Sequence, residues 1–114
     1  MTAVAKLMES KAAIDVDHLT RMTLGERSLE REVLELFGRQ ADLLLPRIRR
    51  GDPALAAASA HTLKGSAVGI GAFEVARAAE AVEKAKDANF IAAIETLAAV
   101  LEETKVDIAR LLAG

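Results

Sequence analysis

The chain has no cysteine, no tryptophan and no tyrosine. Without cysteine, disulfides and thiolate metal sites are excluded. Three phenylalanines supply all of the aromatic area, so the 52% hydrophobic fraction rests on Ala, Leu, Val and Ile, which suits helix-on-helix packing better than a sandwich. A cationic excess is missing too. The formal net charge is −2, which argues against a nucleic-acid partner, because binding a phosphate backbone needs a concentrated positive face. No apolar run approaches the roughly 18 residues that cross a bilayer, and the N-terminus lacks the charged-then-apolar pattern of a signal peptide. No membrane partner is therefore expected, and a cytoplasmic location is the default. At 114 residues there is room for one domain with one core.

Apolar spacing predicts an all-α chain. Residues 1–13 carry weak periodicity and are expected to be a loose start, with a single domain over 14–114. A short helix begins near Asp15 or Asp17, either of which can cap it, with Leu19 and Met22 turned inward and Gly25 ending the segment. A long helix follows from about Glu26 to Arg50 with Leu29, Val33, Leu36, Phe37, Leu44 and Ile48 as its buried stripe; Pro46 is expected to bend it rather than start a new element. Gly51-Asp52-Pro53 reads as a corner, with Asp52 as cap and Pro53 in the first turn of the next helix. That helix should run to about Val68 and stop at Gly69-Ile70-Gly71. Another spans Ala72 to about Lys86, apolar at Val75, Ala78, Ala79 and Val82. Asp87-Ala88-Asn89 offers capping groups for the last, where Phe90, Ile94, Leu97, Leu101, Ile108 and Leu111 keep a seven-residue rhythm broken at Thr104. The expected fold is an antiparallel four-helix bundle with a short N-terminal helix across one end.

His61-Thr62-Leu63-Lys64-Gly65-Ser66 is the most informative run. At about 100° per residue, Lys64 lies roughly 60° from His61 on one side and Gly65 roughly 40° away on the other, while Ala54, Ala57, Ala58 and Val68 share that sector. Leu55, Ser59, Leu63, Ser66 and Ile70 form the expected core-facing stripe, with Leu63 about 200° from His61. The histidine thus faces outward from a clearing of small residues. An imidazole so placed can act as a nucleophile, with Lys64 as a mobile cation beside it to stabilise an incoming phosphoryl group. Glycine within a helix costs about 1 kcal/mol relative to alanine, so Gly65 suggests close approach by another backbone.

AHTLKGSAVGIGA, residues 60–72, resembles the signature of histidine-containing phosphotransfer (HPt) domains, the carrier modules of multistep two-component phosphorelays. His61, Leu63, Lys64, Gly65, Ser66 and Gly71 match the family pattern position for position, and the likeness extends over residues 15–112. The resemblance implies that His61 accepts a phosphoryl group from the aspartate of a receiver domain and passes it to a second receiver aspartate, and that Lys64 neutralises charge on the transferring group. It also implies that Ala54, Ala57, Ala58, Gly65 and Val68 admit the receiver, which would belong to a response regulator or a hybrid sensor histidine kinase. Mg²⁺ would sit on the receiver, with no cofactor or metal bound by this chain, which would be a monomeric carrier and not a complete enzyme. A polar residue on the following helix of the family hydrogen-bonds the inner imidazole nitrogen; Glu83 stands near that offset, and a solvated surface Glu is the alternative reading. His18, without a matching motif, is expected to have a surface or capping role.

Three rival readings compete with this one. A sensor-kinase dimerisation helix typically has an acidic residue after its histidine and later a proline, where this chain has Thr62 and Ser66, and no Gly-rich ATP-binding segment follows. A metal-binding bundle needs inward Glu-x-x-His pairs, yet there are two histidines and Ala58 stands three before His61. A non-catalytic interaction or dimerisation bundle, docking a partner helix on the Ala/Gly face, stays open as the alternative. Chemotaxis histidine kinases also begin with an HPt-like domain; the run from Met1 to Leu112-Ala113-Gly114 leads to the expectation of a free-standing protein.

Overall fold

The computed structural model describes residues 13–50 and 52–114. Most of the loose start expected for residues 1–13, and Gly51 of the corner, lie outside the described residues. Within them the chain forms five helices: α1 (Val16–Met22), α2 (Arg27–Arg49), α3 (Pro53–Ile70), α4 (Phe73–Lys84) and α5 (Ala88–Ala113). Helix α2 packs on α3 and α5, and α4 packs on the same two, so the four long helices close a ring while α1 lies against α3. Short connections between packed neighbours make them antiparallel.

Each boundary has a local cause. Asp15 caps α1 by accepting from the His18 amide at 3.0 Å. Asp52 caps α3 by accepting from Ala54 and Leu55, with Pro53 in the first turn, where no amide donor is needed. At the other end α3 does not stop at Val68; it runs helically through Gly69 to Ile70 and terminates on Gly71, whose φ of 82° is left-handed. One breaker suffices because the Gly71 and Ala72 amides turn back onto Val68 and Ala67. Gly71 also permits contact: a side chain there would meet the Asp15 carbonyl at 2.9 Å, and the Asp15 amide donates to the Gly71 carbonyl. Beside it, buried Ile14 donates its amide to Asp107 Oδ2 on α5 at 3.0 Å. The segment leading into α1 therefore ties the α3–α4 corner to α5. Asp87 corrects a capping expectation: it precedes α5 with φ 56°, but its side chain makes no cap bond.

The core uses regular heptad lines. On α5, Ile94, Leu97, Leu101, Thr104 and Ile108 are buried, and Thr104 keeps its place in the line by donating its hydroxyl to the Val100 carbonyl at 2.8 Å. Val75, Ala78, Ala79 and Val82 are buried on α4 as expected. On α2 the buried line is Leu34, Phe37, Ala41, Leu44 and Ile48. Phe37, Leu44 and Ile48 are buried as expected, whereas Leu29 and Val33 are half-buried and Leu36 is 58% exposed, their places in the line being taken by Leu34 and Ala41. On α3 the buried line is Ala56, Ser59, Ala60, Leu63, Ala67 and Ile70. Leu55, about 80° from Leu63 around the axis, is 45% exposed, and Ser66 is half-buried rather than core. Alanine fills so many contact positions on α3 and α4 because a methyl group permits close interhelical approach without loss of rotamer entropy. Met22 is exposed instead of inward, since Leu19 alone of that pair faces α3. Helix α2 is continuous through Pro46, near its end, and no new element starts there.

Candidate functional site

The opposite face of α3 from Leu63 carries His61. Leu63 is fully buried and anchors the helix, while the His61 side chain is 70% exposed midway along it. His61 Nδ1 lies 3.0 Å from Glu83 Oε2, near the C-terminus of α4. An ionised carboxylate offers lone pairs and no proton, so this contact is a hydrogen bond when Nδ1 carries the ring proton. In that tautomer Nε2 is a bare lone pair on the solvent side of the ring, which is the requirement for nucleophilic attack. The other Glu83 oxygen, Oε1, is buried and accepts no hydrogen bond among the described residues.

Lys64 does not hang free in solvent as the sequence suggests. Its ammonium donates to Glu80 Oε1 at 3.3 Å and stands 3.7 Å from Glu83 Oε1, with its side chain 30% exposed. The reason is rotational. Lys64 lies on the α4 side of α3, where Glu80 and Glu83 project from successive turns. Lys84 approaches the same Glu80 oxygen at 3.7 Å. Glu80 is held below the ordinary carboxylate range, first by its hydrogen bond from Lys64 and then by the charges of Lys84 and Lys64. The cluster of two cations and two carboxylates is close to neutral overall.

On the other side of His61 the surface is bare, with Ala54, Ala58 and Gly65 exposed. Exposed Val68 and half-buried Ala57 lie on the Lys64 side, where Val68 shares a shallow depression with Lys64 and Glu80. A side chain at Gly65 or Gly69 would meet nothing within 4 Å among the described residues, none of whose backbone makes the close approach that Gly65 suggested. Beyond them a groove of about 270 Å³ opens between α1, α2 and α3, with Met22, Leu29, Val33, Leu36, Ser66 and Gly69 on its walls. Leu36 and Met22 have core-like spacing in the sequence, which hides this groove. Glu80 is marked there only by its i+3 and i+4 spacing to Glu83 and Lys84.

His18 is neither a surface residue nor a capping side chain. Its ring is half-buried against Phe73, centroids 5.2 Å apart and edge-on, with Nε2 buried and without a hydrogen-bond partner among the described residues, none of which joins it to the His61 cluster. Among the described residues no three of His, Cys, Asp or Glu are grouped to hold a metal ion, and no helix is long and apolar enough to cross a membrane. A family model for the Hpt domain matches residues 27–112, which takes in all four bundle helices and His61, Lys64, Gly65 and Glu83. No curated protein and no solved structure matches the chain.

Proposed function

The chain belongs to the Hpt domain family, and from that premise we propose that it is a phosphorelay carrier in which His61 takes a phosphoryl group from a receiver aspartate and yields it to another. The observation that carries this reading is the arrangement of one ring: Nδ1 on Glu83, Nε2 open to solvent. In the forward step the Nε2 lone pair attacks the phosphorus of the aspartyl phosphate. The bond from phosphorus to the acyl oxygen breaks, its electron pair returns to the receiver carboxylate, and Nε2 bears the phosphoryl group. The Nδ1 proton stays in place throughout, and Glu83 offsets the positive charge the ring gains. Release to the second receiver reverses these events.

Transfer of this kind depends on alignment and charge more than on covalent work by the protein. The rigid bundle supplies alignment by fixing α3 through Leu63. Lys64 supplies charge, and the bare strip over Ala54, Ala58, Gly65 and Val68 gives a receiver access to Nε2. The adjoining groove, walled by Leu36 and Met22, offers apolar area for the same receiver to cover. Mg²⁺ and the remaining catalytic groups belong to that receiver. The carrier acts as a cytoplasmic monomer, without an ATP site or a complete catalytic centre of its own. The test is to incubate the purified chain with phosphorylated receiver domains. Acid-labile phosphate should appear on wild type and not on His61→Gln; binding without any labelling would favour a purely structural interaction bundle.

A further inference from the structure

Resting on that phosphotransfer reading, we propose that Glu80 is a positioning residue: it holds the Lys64 ammonium away from His61, and this hold weakens the carrier's grip on its phosphoryl group. No motif points to Glu80. Geometry does. Lys64 is the nearest cation to His61 on α3, yet its hydrogen bond goes to Glu80 at 3.3 Å, while Glu83 Oε1 stays 3.7 Å away and accepts no hydrogen bond. Glu83 is thereby left to serve the ring through Oε2 alone.

Arrival of a phosphoryl group changes the competition. The new group brings roughly two negative charges to Nε2, and the flexible four-carbon stem of Lys64 lets the ammonium turn toward it. To do so it must leave Glu80. The other charged groups around the pair are Glu83, Lys84 and Arg77, and Arg77 is already paired with Glu74. Lys84 remains beside Glu80 when Lys64 departs, so the Glu80 carboxylate is not stranded. The pair is partly exposed, 30% and 44% for the two side chains, so its hold is modest and the exchange is readily reversible. A carrier must give phosphate up as well as take it, and a counter-ion that recaptures Lys64 favours release.

The test is the equilibrium of phosphate between a phosphorylated receiver and this chain. Glu80→Gln should shift it toward the carrier by about two- to fivefold, the range of a surface ion pair. In a Lys64→Met background the same substitution should have no effect, whereas in Lys84→Met the shift should persist; a merely structural role for Glu80 would not depend on Lys64 in this way. Nitrogen NMR of the Lys64 amine gives a reading that needs no phosphate: its signal should follow the titration of Glu80 in wild type and lose that step in Glu80→Gln. If wild type takes up phosphate but Glu80→Gln leaves the equilibrium unmoved, or moves it equally without Lys64, the proposal is overturned and the carrier reading stands. If wild type takes up none, both fall.

Discussion

His61 Nδ1 and Glu83 Oε2 stand 3.0 Å apart across the α3–α4 interface, joining the middle of one helix to the end of the next. With the ring proton on Nδ1, this contact leaves Nε2 free. Glu83→Ala should remove the preference for the Nδ1–H tautomer and shift the tautomer ratio by about three- to tenfold, the worth of one ordinary hydrogen bond. Nitrogen NMR of the His61 ring measures it directly. Phosphate uptake should slow in the same variant while its melting curve stays close to wild type.

Leu63 and His61, two residues apart, should separate folding from function. Leu63 is fully buried, so Leu63→Ala should cost about 2–5 kcal/mol by leaving a cavity. His61 is exposed, and His61→Gln should stay within about 0.5 kcal/mol of wild type. Denaturant unfolding of both variants checks the contrast. If His61→Gln unfolds the domain, the outward placement of the ring is wrong.

Gly65 within α3 and Gly71 at its C-cap should behave in opposite ways. Gly65→Ala meets open space and should stabilise the helix by about 0.5–1 kcal/mol, yet weaken receiver binding by filling the approach to His61. Gly71→Ala combines a left-handed φ with a 2.9 Å clash against the Asp15 carbonyl and should destabilise the domain. Thermal melts beside receiver-binding measurements separate the two effects.

Much of this site could be read from residues 60–72, because its chemistry depends on spacing along one helix and that spacing is fixed by 3.6 residues per turn. The caps at Asp15 and Asp52 and the stop at Gly71 were legible for a similar reason: each acts within four residues. The face of α2 was legible in part: Phe37, Leu44 and Ile48 are buried as their spacing predicts, but Leu29, Val33 and Leu36 are not. Leucine or valine occupies both the 29–33–36 line and the 34–44 line, and periodicity alone does not say which of two adjacent apolar lines meets the core. On α3, Ala56, Ala60 and Ala67 have too little hydrophobic contrast to outweigh Leu55, so a bulky surface residue was read as core. Glu80 and Glu83 are visible in the sequence as neighbours of Lys84 on one helix, but their pairing with Lys64 crosses a helix interface and carries no local signal.

Acid should reveal the Lys64–Glu80 pair. Lys64 lowers the Glu80 carboxyl in the folded state, so the pair's contribution to stability is fully present above the ordinary value of 4.5 and is lost as pH falls through the lowered folded value. Lys64→Met should therefore narrow its stability gap from wild type as pH drops below 4.5. Equilibrium unfolding at stepped pH values checks this, and a gap that widens in acid would contradict it.

Leu36 is exposed beside the groove and lies off the buried line of α2. Leu36→Gln should change stability by no more than about 0.5 kcal/mol while reducing affinity for a receiver. Calorimetric titration with the receiver, alongside a melting curve, distinguishes a docking surface from a structural one.

The most direct measurement is the position of phosphorus on the ring. Phosphorus and nitrogen NMR of the chain after incubation with a phosphorylated receiver should place the group on Nε2 of His61, with Nδ1 still protonated against Glu83 and no signal from His18. Phosphate on Nδ1, on another residue, or nowhere would contradict the account.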